Sequence, residues 1–109
     1  MATTYKVLGQ SNPAATTATT LYTVPAATSA VASTLNVCNQ SSSTVTYRIA
    51  VRPAGEALAA KHYLAYDVAL AANDSVALTL GITLATTDVV TVYSTAATTS
   101  FNLFGSELT

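Results

Sequence analysis

His62 is the sole histidine of the chain, so any acid–base or nucleophilic chemistry that needs an imidazole must pass through it. A Ser-His-Asp arrangement would combine it with one of the serines, but no Gly-x-Ser-x-Gly turn of the kind that presents a nucleophile occurs in the sequence. A surface or interface histidine is the expected role. Asp67, Asp74 and Asp88 are candidates for paired-carboxylate or calcium chemistry, yet none lies in a dense acidic loop able to supply six or more oxygens. They fall at strand ends or on a strand's polar face, where solvated carboxylates are ordinary. Cys38 stands alone, which excludes an internal disulfide and any metal cluster built on cysteine pairs, and it reads as a small, inert, buried thiol. The four glycines are not spaced as a phosphate-binding fingerprint. No catalytic residue, cofactor or metal ligand is assigned, and the chain is expected not to be an enzyme.

The elements that would carry such groups are short strands. Residues 9–20 are a run of small residues interrupted by Pro13, with nothing large to bury, and read as a loop or an extended arm. Before it, Tyr5-Lys6-Val7-Leu8 is β-prone and is either an edge strand or an arm that pairs only with a partner. Leu21 to Val24 ends at Pro25, which cannot donate to a sheet ladder. From residue 31 the period becomes two: Val31, Ser33, Leu35 and Val37 on one face, Ala32, Thr34, Asn36 and Cys38 on the other. Asn39 to Ser43 is a turn. Val45, Tyr47, Ile49 and Val51 then alternate with Thr46, Arg48, Ala50 and Arg52, the cleanest strand pattern in the chain, with both arginines on the wet side.

Ala57 to Lys61 has helix propensity enough for at most a turn or two. The alternation of His62, Leu64, Tyr66, Val68 and Leu70 predicts a strand, and Asn73-Asp74 the turn after it. Val76, Leu78, Leu80, Ile82 and Leu84 predict another strand, in which Gly81 marks a bulge or break. Two more follow, Val89 to Tyr93 and Thr99 to Phe104. Seven or eight short strands at this spacing predict an all-β fold, a single antiparallel β-sandwich of jelly-roll or immunoglobulin-like type. The division expected is an N-terminal edge strand or arm over 1–20, removable without unfolding the rest, and a sandwich domain over 21–109.

Composition narrows the partners. The 109 residues suit one domain, and Leu, Ile, Val and Phe number 26, enough for a packed core. Half the chain is apolar, inflated by 21 alanines, and only 8% is charged, with 20 threonines supplying hydroxyls instead. Lys6, Arg48, Arg52 and Lys61 are scattered and the net charge is −1, so neither nucleic acid nor an anionic membrane is an expected partner. No apolar run approaches the roughly 20 residues of a membrane-spanning helix. Met1 to Lys6 lack the basic start and apolar block of a secretory signal, so use without export is expected, and the Asn-x-Ser matches at Asn39 and Asn73 carry little meaning. Of the six tyrosines, Tyr47, Tyr66 and Tyr93 fall on inward faces, while Tyr5 and Tyr63 are the interface candidates. Tyr5, Lys6, Val7, Leu8 and Tyr63 are thus the predicted partner contacts.

Several runs together, Thr20 to Pro25, Asn36 to Asn39, Tyr47 to Val51, Gly81 to Leu84 and Ser100 to Glu107, resemble small virion structural proteins of tailed phages, notably cyanophages. The resemblance covers nearly the whole chain and transfers no catalytic residue. It implies a virion protein assembled in the host cytoplasm, whose partners are the major capsid protein, or tail proteins, and copies of itself. A head decoration or cement protein comes first, a tail, neck, baseplate or fibre component second, and a free glycan-binding or enzymatic domain third.

Overall fold

The computed structural model describes residues 2–109. Among them eight strands, β1 (Thr3–Ser11), β2 (Thr19–Thr23), β3 (Ser29–Asn39), β4 (Val45–Arg52), β5 (Tyr63–Leu70), β6 (Ser75–Leu84), β7 (Val89–Ser94) and β8 (Thr99–Leu108), form two antiparallel sheets. Their orders are β1-β8-β3-β6 and β2-β7-β4-β5. The chain is folded on itself as nested ribbons: β1 pairs with β8, β2 with β7, β3 with β6 and β4 with β5. Of the two sandwich types the sequence allows, this is the jelly roll.

The core lies between the sheets. Leu35, Val37, Phe101 and Leu103 of one sheet meet Val45, Tyr47, Ile49, Val90 and Val92 of the other, all nearly or wholly buried. In β4 the inward row begins as the alternation predicts, with Val45, Tyr47 and Ile49, and Val51 is half-buried against the same core. In β3 it does not. The register shifts between Ala32 and Thr34 against both neighbours, so the bulge at Ser33 puts Ala30 and Ala32 inward before it and Leu35 and Val37 inward after it. Val31, expected to share a face with Leu35, lies outward. Gly81 sits in the matching irregularity of β6, with a φ of 59° that favours glycine.

β5 departs in a similar way. Asp67 takes a φ of 52°, a conformation that Asp tolerates better than most residues, and the pairing with β4 shifts around it. Val68 stays opposite buried Tyr47, while Tyr66 is turned to the outer face. Tyr93, opposite Arg48, is on that outer face too. Only Tyr47 of the three tyrosines assigned inward is in the core. The segment between β4 and β5 holds two short 3-10 turns, Pro53–Gly55 and Ala60–His62.

β1 is an edge strand bonded to β8 from Thr3 to Ser11. Leu8 is 8% exposed and belongs to the core cluster, so it is a packing residue and not a surface open to a partner. Gly9 is needed beside it: a Cβ there would lie 2.2 Å from the Leu21 carbonyl oxygen, which lets β1 and β2 approach closely.

Candidate interaction surfaces

The residues singled out for chemistry are dispersed and occupied. His62 is not on the surface: it is 5% exposed, its Nδ1 accepts the Ala59 N–H at 3.0 Å, and its Nε2 faces Glu56 Oε1 at 3.3 Å. With Nδ1 accepting, the neutral ring carries its proton on Nε2 and donates it to the carboxylate. Both nitrogens are thus used to tie down the short turn; the alternation that groups His62 with Val68 and Leu70 was the one sequence signal of that burial. Asp74 accepts the Ser75 N–H, and Asp88 accepts from Ala54 and Ala85, so both hold turns. Cys38 is half-buried rather than buried. Among the described residues no group of three or more His, Cys, Asp and Glu could hold a metal ion, and no buried side-chain nitrogen or oxygen lacks a partner.

Asn39 shows how far a motif match can mislead. The side chain is 1% exposed; its Nδ2 donates to the carbonyls of Ser43, Leu70 and Ala71, and its Oδ1 accepts the Ser41 N–H. It clamps the β3–β4 turn to the end of β5, which makes it a structural node.

All 4 Lys and Arg and all 5 Asp and Glu make an ion pair or a hydrogen bond. Lys6 Nζ lies 3.3 Å from Glu107 Oε1, and Tyr22 Oη donates to Glu107 Oε2 at 2.5 Å, joining β1, β8 and β2. Burial, with the Glu107 acceptor adding to it, pushes the Tyr22 phenol well above its ordinary pKa. The hydrogen bond from Tyr22, helped by Lys6 and opposed by burial, holds the Glu107 carboxyl below its own. On the other sheet Arg48 donates to both Asp67 oxygens, and its guanidinium lies 4.1 Å from the Tyr66 ring centre and 4.3 Å from that of Tyr93. The Asp67 hydrogen bonds hold Arg48 charged beyond its usual range.

Two apolar surfaces carry the predicted contacts. The first is the outer face of β1, β8 and β3. Val7 lies opposite Phe104, and Ser106 has Tyr5 on one side and Val31 on the other. Tyr5 is 85% exposed, and Val7, Val31 and Phe104 are exposed with it. Tyr5, Val31 and Phe104 line a shallow groove with Lys6, Ser33, Gly105 and Ser106. The structure brings the predicted contacts Tyr5, Lys6 and Val7 together here. Val31 and Phe104, which the sequence reading did not single out, join them because the Ser33 bulge reverses the face of Val31.

The second surface is a concavity lined by Leu58, Ala59, Ala60, Tyr63 and Tyr66. Tyr63, the remaining predicted contact, is half-buried and meets Tyr66 edge to face with ring centres 4.9 Å apart. Arg48 covers one face of Tyr66, whose side chain is still 57% exposed. No helix among the described residues is long and apolar enough to cross a membrane. Comparison of the chain with protein-family models, with curated proteins and with solved structures finds no match.

Proposed function

We propose that this chain is a non-enzymatic structural protein of a phage virion, a head decoration or cement protein that binds the outer surface of the capsid. The observation that carries the reading is the exposed apolar face of β1, β8 and β3, with Tyr5 at its most open point. Contiguous apolar surface of this kind marks protein contact sites. One tyrosine and one phenylalanine beside valines and small, hydroxyl-bearing residues give a contact area that needs no charge complementarity. Two further features support it: every charged side chain is already engaged, and the jelly roll is an architecture used for viral shells, an argument from fold analogy. The sequence resemblance to tailed-phage virion proteins points the same way. The same observations fit a tail, neck or baseplate component, and copy number separates the two.

Quantitative mass spectrometry of purified virions encoded with this chain should find hundreds of copies per particle. A dozen or fewer would move the protein to the tail, and none would remove the virion reading. Tyr5→Ser with Phe104→Ser should reduce incorporation while leaving the circular dichroism spectrum unchanged, because both side chains are exposed.

A further inference from the structure

The four sheet edges are not equally defended. β1 carries Lys6 and a register shift between Val7 and Gly9, β2 has five residues and is followed closely by Pro25, and β5 is broken by Asp67 at positive φ. Charges, bulges, short length and nearby prolines are the devices that keep sheet edges from pairing with other chains. β6 has ten residues and no charge from Ser75 through Thr87, and its one irregularity, at Leu80 and Gly81, leaves Ser75 to Thr79 in regular register with β3. Only β3 neighbours it, and apart from the Ser75 N–H, which Asp74 Oδ1 accepts, the outer row of backbone groups makes no bond to another strand among the described residues.

The core is also open on that side. Val76, Leu78, Leu80 and Ile82 pack against the core but stay half-exposed, and Val68, on the inward face of β5 opposite Tyr47, is 39% exposed. From these observations we propose that the protein forms a two-fold dimer in which the edge of β6 pairs antiparallel with β6 of a second copy over Ser75 to Leu80. A two-fold axis perpendicular to the sheet keeps both apolar rows on the same side and joins two four-stranded sheets into one of eight strands. About an axis near Leu78, the nearest charge, Asp74, falls opposite an uncharged residue of the other copy, so nothing repels. A second copy is the occupant because the strand is uncharged and complementary to itself. This contact lies away from the β1, β8 and β3 face and stands whether or not the chain sits on a capsid.

Analytical ultracentrifugation of the purified full chain at micromolar concentration should give the dimer mass. Ala77→Lys with Thr79→Lys, both at exposed positions, should raise the dimer dissociation constant at least about tenfold. Tyr5→Lys, on the far edge, should leave it unchanged. Hydrogen exchange on the unmodified chain gives a second reading that does not depend on how the variants fold: amides within Ser75 to Leu80 should become more protected as concentration rises through the dimerisation range. A chain that stays monomeric to millimolar concentration, a dimer that survives the two lysines, an open-ended ladder of oligomers, or unchanged exchange at β6 would each overturn the proposal. So would a monomer that takes a strand from another protein at this edge.

Discussion

The two sides of the sandwich are finished differently. Where β1 meets β2, Gly9 brings the strands close, Leu8 fills the gap, and Lys6, Glu107 and Tyr22 bond across the mouth. Where β5 and β6 end the sheets, the inward row is half-exposed, and among the described residues only Asn39, at one end, bonds across, to the Leu70 and Ala71 carbonyls. A jelly roll has two such open sides to manage. The difference teaches that stability and association are divided between them: one side is closed by the chain's own polar groups, and the other keeps backbone and apolar surface for a neighbour.

The strongest test removes the closed side. Deleting residues 1–11 takes away β1 and Leu8, and should abolish the cooperative unfolding transition seen by circular dichroism; a retained transition would show that β1 is dispensable and the comparison misplaced. Next comes burial on the two sides of β4 and β5. Ile49→Ala, at 1% exposure, should cost about 2–5 kcal/mol in urea unfolding, whereas Val68→Ala at the open seam should cost under about 1 kcal/mol in the monomer. Equal costs would mean the seam is not open in solution.

Glycines give a finer contrast. Gly9→Ala drives a Cβ against the Leu21 carbonyl and should cost about 1–3 kcal/mol. Gly81→Ala meets nothing within 4 Å and should cost about 1 kcal/mol, from its positive φ alone. Tyr22→Phe should then lower stability by about 1–2 kcal/mol by removing the donor to Glu107. The smallest effect is in pH. Because the Glu107 carboxyl titrates below its ordinary value of 4.5 when folded, its contribution is complete above that pH and is lost as pH falls through the folded value. Urea midpoints followed into the acid range should show that loss, and Glu107→Gln should flatten it.

Much of the strand pattern was legible because strands with one buried face repeat every two residues, and β4 and β6 keep that repeat in side chains large enough to read. The bulges were less so. Gly81 announces one by its residue type, but Ser33 is an ordinary strand residue, and its bulge shows only in the register of β3 against both neighbours. Asp67 offered a weak signal, since Asp accepts a left-handed backbone, and missing it placed Tyr66 on the wrong face. The pairing of Thr3 with Leu108 and the bond from Tyr22 to Glu107 join distant parts of the chain, and no local pattern encodes them. For the candidate surface, the sequence supplied Tyr5, Lys6 and Val7, while Val31 and Phe104 needed the three strands assembled.

The nested ribbons also set a schedule. β4 and β5 can form a hairpin early, but β1 has no strand to lie beside until β8 has been made, because its partner sits at the other end of the chain. Pairings of such long sequence separation are slow to find, and until they form, uncharged strands such as β6 lie open to other unfinished chains. The hazard of a weakly charged protein therefore falls in the interval before closure. Refolding yield should fall with protein concentration well before the stability of the folded protein changes at all.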